Sequence, residues 1–234
     1  MKRVAPLRQR RAMASSLIGE SSVNVKKLVR PLLPHFVKCL YQHRVLSRKQ
    51  LEPDALRCRS FVKPGDSVVD IGANIGAYTK LLSEWVGPEG EVFAFEPIPE
   101  TFGYLRHNAK RLEFNNAIVC NAGVSSYSGK GRMVVPDGNF YLAEISDRGQ
   151  EVDLIRLDDV FRQRKIAFIK CDVEGHEMEV IEGALQLIQR DHPVWLMETR
   201  NDAVVQRMTS LGYRAKKLKH DWMFCCPQDA EVSL

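Results

Sequence analysis

Val68-Val69-Asp70-Ile71-Gly72-Ala73-Asn74-Ile75-Gly76-Ala77-Tyr78-Thr79 is the stretch that decides the fold. A short apolar, β-branched run breaks at Gly72, and helical spacing takes over across Ile75–Val86. That order is a strand, a tight turn and a helix, the opening of a βα unit. The same alternation recurs further along the chain. Gly90–Phe95, Ala117–Asn121, Ile166–Cys171 and Val194–Glu198 read as buried strands. Pro99–Leu112, Glu177–Gln189 and Ala203–Leu211 read as helices. Tyr213–Leu218 and Trp222–Cys226, around His220-Asp221, predict a closing hairpin. Buried strands alternating with helices predict an α/β fold: a doubly wound, mostly parallel sheet with helices on both faces. Ligands of such sheets bind beyond the carboxyl ends of the strands. Residues 123–155 break the alternation with turn-rich Ser125–Gly131 and Pro136–Asn139, so an antiparallel insertion is expected there, over the site or beside it.

The chain has 234 residues, 44% of them apolar and 27% charged, which suffices for a large core and excludes disorder throughout. No apolar run reaches the length of a transmembrane helix. Charge is unevenly placed. Residues 1–63 carry a net +12 and the remainder a net −7. Residues 1–22 contain a single acid, Glu20, and read as disordered, with a mitochondrial presequence as the alternative. Val23 to Leu56 turns helical, but Pro31 and Pro34 divide it into short helices. These residues form a basic N-terminal extension, 1–60, ahead of a domain spanning 61–234. The extension either packs on the domain or meets an anionic membrane surface or an acidic partner. Six cysteines without CxxC spacing give no zinc or redox motif and fit a reducing, cytoplasmic compartment.

The turn after the first strand narrows the ligand. A dinucleotide fingerprint calls for glycine at 72, 74 and 77, and here 74 is Asn and 77 is Ala. A nucleoside without a pyrophosphate fits better, with Gly72 and Gly76 letting it approach the backbone. Asp70 at the strand tip would repel phosphate and suit an ammonium group. Glu96 ends the second strand 20 residues after Gly76, the spacing of an acid that accepts from ribose hydroxyls. Asn74 and Thr79 belong to the same turn. Tyr78 is placed either to pack on a cation or to cover the helix start. Asn121 ends the third strand, at the adenine edge or as a turn former.

These residues resemble the FkbM family of S-adenosylmethionine-dependent methyltransferases. The resemblance rests on Asp70-Ile-Gly-Ala-Asn-Ile-Gly76, Ala94-Phe-Glu-Pro97, Leu157-Asp-Asp159, Ile169-Lys-Cys-Asp-Val-Glu-Gly-His-Glu177, Ile181-Glu-Gly-Ala184 and Pro193 through Glu198. It spans roughly residues 60–200, and the Lys-x-Asp-x-Glu-Gly-x-Glu run is its most specific part. It implies a class I methyltransferase fold, Rossmann-like, with a seven-stranded sheet ending in an antiparallel hairpin. It further implies S-adenosylmethionine as cofactor and O-methylation of a sugar, glycoconjugate or polyketide-like compound.

Asp172, Glu174, His176 and Glu177 follow the fourth strand and so face the same ligand edge as Gly72. Methyl transfer to a hydroxyl needs alignment and a base. Asp172 and His176 are the candidates, and a neutral His is the better base near pH 7. Asp172 with Glu174 also suits a divalent cation, or simply capping of the helix that begins near His176. Lys170, inside the strand, pairs with a carboxylate. Arg200 and Asn201 follow the fifth strand and are placed to touch the acceptor. The readings that compete are a nucleic-acid-binding methyltransferase and a non-catalytic S-adenosylmethionine-binding module. Nucleic acid is disfavoured because the basic segment has few aromatics for base stacking.

Overall fold

The computed structural model describes residues 53–134, 144–145 and 148–226, all within the compact unit Cys39–Leu234. The expectations for 1–22, for 23–52 and for Pro136–Asn139 lie outside the described residues. Eleven strands and seven α-helices follow, numbered in chain order among those residues. α1 is Pro53–Cys58, continued by a 3-10 turn, Arg59–Phe61. β1 is Ser67–Ile71, α2 Ala77–Val86, β2 Glu91–Phe95, α3 Pro99–Ala109 and β3 Ala117–Cys120. β4 is Gly123–Val124, β5 Gly129–Val134, β6 Glu144–Ile145 and β7 Gln150–Ile155. α4 is Leu157–Val160, β8 Phe168–Cys171, α5 Glu177–Glu182, α6 Leu185–Asp191 and β9 Val194–Met197. α7 is Asp202–Ser210, β10 Arg214–Lys217 and β11 Trp222–Cys225.

Seven strands form one sheet in the order β10-β11-β9-β8-β1-β2-β3. All run parallel except β11, which lies antiparallel between β9 and β10. The order reverses at β1, flanked by β2 and β8, so the switch point sits where the sequence places its turn. Alternation along the strands feeds two cores. Val69, Ile71, Ile169, Cys171, Trp195 and Met197 pack on α5, α6 and α7 through Val180, Ile181, Leu187, Ile188, Val204 and Met208. Val68, Val92, Phe168, Val194 and Leu196 pack on α1 and α2 through Ala55, Cys58, Leu82, Trp85 and Val86. Each of the fully buried Val, Leu, Ile, Phe and Met side chains contributes about 1.5–3 kcal/mol.

Strands β4 to β7 build a second sheet in the order β4-β7-β5-β6, antiparallel except for the β4–β7 pair. The expected single helix over 177–189 is two, broken at Gly183-Ala184. A Cβ at Gly183 would lie 2.0 Å from the Ser125 carbonyl oxygen, so the chain leaving β4 packs directly on the glycine at the break.

The domain reaches back past the expected boundary at 61. Ala55 and Cys58 are core residues, and Asp54 is buried beneath the β10–β11 turn. Its carboxylate accepts from the amides of Lys219 (3.1 Å), His220 (2.6 Å) and Asp221 (3.2 Å). Burial raises its pKa, but the three amides outweigh burial and hold it below the ordinary range. Its contribution is therefore complete at neutral pH and fades only as pH falls through that lowered value. Asp54→Ala leaves three amides without an acceptor. We expect a loss of about 2–4 kcal/mol, read as a Tm lower by roughly 5–15 °C. An unchanged Tm would mean that the turn is held by other contacts. Among the described residues no helix is long and apolar enough to cross a membrane.

Candidate functional site

The turn after β1 is knitted to both neighbouring strands. The amides of Gly72 and Ala73 both donate to the Phe95 carbonyl, each at 3.0 Å, and Asp172 N–H donates to the Ile71 carbonyl at 3.1 Å. Gly72, Asn74 and Gly76 have φ of 74°, 52° and 94°. Asn is among the few non-glycine residues that tolerate this region. Asn108 of α3 fixes the turn from outside, donating through Nδ2 to the Ile75 carbonyl at 2.8 Å. The glycines answer packing more than ligand access. A Cβ at Gly72 would lie 1.8 Å from the Asp172 carbonyl oxygen, and one at Gly76 would lie 3.0 Å from Leu105.

Asp70 points away from the cleft. Strand alternation puts it on the Val68 face, where Thr79 Oγ1 of α2 donates to it at 2.6 Å. It is 1% exposed, and burial pushes its pKa up to about 6, against the pull of Thr79 and Lys170. Asp70 and Thr79 thus tie α2 to β1. Tyr78 receives a protein cation: Lys170 Nζ lies 4.7 Å from its ring centroid.

Glu96 bridges two loops. One carboxylate oxygen accepts from Asn74 N–H at 2.9 Å and the other from Ile98 N–H at 2.9 Å. Each oxygen keeps a further lone pair for a hydroxyl. Burial pushes its pKa up to about 7; the two amides oppose this, and Asp70 and Asp172 add to it. Asn121 backs this loop, donating through Nδ2 to the carbonyls of Glu96 (2.8 Å) and Pro97 (3.0 Å).

The exit of β8 carries the remaining chemistry. Lys170 is 3% exposed and forms an ion pair with Asp172 at 3.2 Å. Burial lowers its pKa, but Asp172 and Asp70 outweigh that and keep it cationic. Glu174 is exposed, with φ of 49°. Burial raises its pKa, as do Asp172 and Glu198, while Arg200 lowers it. Neither Asp172 nor Glu174 caps α5, whose first residue is preceded by His176 with no side-chain cap. Instead buried Glu177 turns back: its carboxylate accepts from Gly175 N–H at 2.8 Å and from Thr199 Oγ1 at 3.3 Å. Glu177, expected to face the ligand edge with the other residues after the fourth strand, instead locks the loop. His176 Nε2 lies 3.0 Å from Ser125 Oγ and Nδ1 lies 3.4 Å from Glu179. Burial lowers the His176 pKa, with Glu179 pulling the other way, so the ring is mainly neutral at pH 7. Asn201 caps α7, accepting from Ala203 N–H at 3.0 Å, and neither it nor Arg200 lines the cleft.

The strand ends enclose a cleft of about 670 Å³, counted out to open solvent. Its polar lining is Asn74, Glu96, Asp172, Glu174 and His176. Its apolar wall includes Ile98, Val124 and Met133, the last two from the second sheet. The insertion therefore forms a wall of the site. Of the expected cofactor residues, Gly72, Asn74 and Glu96 line the cleft, whereas Asp70, Gly76, Tyr78, Thr79 and Asn121 stand behind it. The donor set fits S-adenosylmethionine: carboxylates for hydroxyls and positive charge, apolar side chains for a ring, and a turn without a pyrophosphate cradle. Among the described residues no group of three or more His, Cys, Asp or Glu converges to hold a metal ion.

Sheet order, antiparallel β11 and a cleft at the β1 switch point define the class I methyltransferase fold. The Methyltransferase FkbM domain model matches residues 70–215, and the chain belongs to that family. It is 32% identical to 31-O-demethyl-FK506 methyltransferase FkbM of Streptomyces tacrolimicus, over 52% of this chain and 60% of that protein. It is 30% identical to hexuronic acid methyltransferase AglP of Haloferax volcanii, over 59% of this chain and 58% of that protein. The matches thus span about three-fifths of the length of these relatives. A crystal structure of methyltransferase FkbM from Methylobacillus flagellatus superposes with a TM-score of 0.52 at 16% identity, covering 81% of this chain and 59% of that one, and shares the fold.

Proposed function

We propose that this domain transfers a methyl group from S-adenosylmethionine to a hydroxyl of a sugar, a glycoconjugate or another small molecule. The observation that carries this reading is the meeting of Glu96, Asp172 and His176 in one cleft beside an apolar wall. The two relatives named for 31-O-demethyl-FK506 and for hexuronic acid support it. When bound, S-adenosylmethionine supplies an electrophilic methyl whose leaving group departs neutral, so no acid is required. Glu96 would accept from ribose hydroxyls while Gly72 and Asn74 supply the bare turn beneath. Asp172 and His176 are the groups in reach to take the acceptor proton, and Glu174 sets a negative charge at the mouth.

Calorimetric titration with S-adenosylmethionine, S-adenosylhomocysteine and NAD is the test of the cofactor. Micromolar binding of the first two and none of NAD is expected, and the reverse pattern would overturn the reading. Asp172→Asn keeps a polar partner for buried Lys170, which Asp172→Ala would strand. In an assay of S-adenosylhomocysteine release over a panel of glycosides, we expect Asp172→Asn to slow turnover about 100-fold or more. Cofactor affinity should stay within about threefold of the wild type. Wild-type turnover in this variant would remove Asp172 from the mechanism.

A further inference from the structure

Ser125 is an internal hydroxyl with no surface exposure, pinned from two sides. Its N–H donates to the Ile155 carbonyl at 2.9 Å, and its own carbonyl sits tight against Gly183 at the α5–α6 break. It follows Val124 in the wall of the cleft, and its Oγ faces His176 Nε2 at 3.0 Å. On the opposite edge of the ring, Glu179 Oε2 lies 3.4 Å from Nδ1. An ionised carboxylate only accepts hydrogen bonds, whereas a hydroxyl does either. The Ser125 contact suits either tautomer, whereas the carboxylate on the other edge favours the proton on Nδ1, which would leave the Nε2 lone pair to accept from Ser125 Oγ.

We propose that Ser125 and Glu179 are positioning residues for His176, holding its imidazole as the Nδ1–H form with the Nε2 lone pair as the proton-accepting atom. The proposal deepens the reading of His176 as a base and rests on it. Ser125 keeps the Nε2 atom partnered and the ring oriented. A proton taken at Nε2 gives an imidazolium whose Nδ1–H already faces a carboxylate. The arrangement follows the general logic by which a carboxylate fixes the tautomer of a basic histidine.

The test is long-range proton–nitrogen NMR on protein labelled with nitrogen-15 histidine, with His176→Gln assigning the signal. At neutral pH the wild type should show Nδ1 as the protonated and Nε2 as the unprotonated ring nitrogen. Glu179 is half exposed, so Glu179→Ala should fold. That variant should lose the Nδ1–H form in favour of Nε2–H, with Ser125 then accepting. Glu179→Gln should restore Nδ1–H, because its amide oxygen still accepts. Ser125→Ala should keep Nδ1–H but shift the Nε2 resonance. An Nε2–H ring in the wild type, or a Nδ1–H ring persisting in Glu179→Ala, would overturn the proposal. Titrating the same samples with S-adenosylmethionine separates the two readings. Absent cofactor binding with the expected tautomers would sink the methyltransferase reading alone.

Discussion

Gly72→Ala should lose S-adenosylhomocysteine binding by at least about 100-fold and lower the Tm by roughly 5–20 °C. The cause is local and has two parts. The residue sits at φ 74°, a region that costs a side chain about 1–2 kcal/mol. A Cβ would also stand 1.8 Å from the Asp172 carbonyl oxygen and 2.9 Å from its carbon. That carbonyl is backbone, and its own amide is tied to Ile71, so neither side yields cheaply. The turn or the β8 exit must move, and both line the cleft. Together these terms amount to roughly 2–6 kcal/mol. Gly65→Ala is the control. Gly65 has φ 88° with nothing within 4 Å of the added Cβ, so it carries the backbone cost alone, about 1–2 kcal/mol. Equal behaviour of the two variants would show that the Asp172 contact is immaterial.

That contrast also shows what the sequence made legible and what it hid. Buried strands are apolar runs between turn signals, so β1, β2, β8, β9 and the closing hairpin fall within a residue or two of their reading. The turn glycines were placed correctly, but the partner of Gly72, the Asp172 carbonyl, lies a hundred residues away in the chain and leaves no local trace. Asp70 is different. Its alternation with Val69 and Ile71 already directs it to the α2 face, and Thr79 stands on that face at helical spacing. The period-two pattern held that information; its position at the strand tip suggested the cleft instead. Lys170 obeys the same alternation and reaches Tyr78. The break at Gly183, the apolar wall from Val124 and Met133, and Ser125 beside His176 all depend on where the second sheet docks. Docking is a long-range outcome without a motif. Glu96 was legible because spacing and strand end together fix it, and Asn121, read as an adenine contact or a turn former, supports the Glu96 loop.

Glu96→Gln is expected to weaken S-adenosylmethionine binding by about 10- to 100-fold while flattening the dependence of stability on pH. The affinity loss is that of a charged hydrogen-bond acceptor replaced by a group that offers one oxygen where two were used, about 1.5–3 kcal/mol. The stability effect runs through protonation. The folded carboxyl titrates at about 7 against an ordinary 4.5, because burial disfavours its charge and Asp70 and Asp172 repel it. Asp70 shifts the same way, to about 6 from 3.8. Between the ordinary and the raised values the folded chain binds protons that the unfolded chain releases. Stability therefore falls as pH rises through roughly 4 to 7, and the cofactor-free protein should melt lower at pH 8 than at pH 5.5. A ligand presenting hydroxyls and positive charge favours the ionised carboxyl. Binding near pH 7 should then release a fraction of a proton, visible as a calorimetric enthalpy that changes with the ionisation enthalpy of the buffer. Glu96→Gln should remove most of that proton release and most of the Tm slope. Unchanged affinity in the variant would take Glu96 out of the cofactor site. A Tm slope between pH 5.5 and 8 that is the same in Glu96→Gln as in the wild type would show that the two amides, rather than burial, govern this carboxyl.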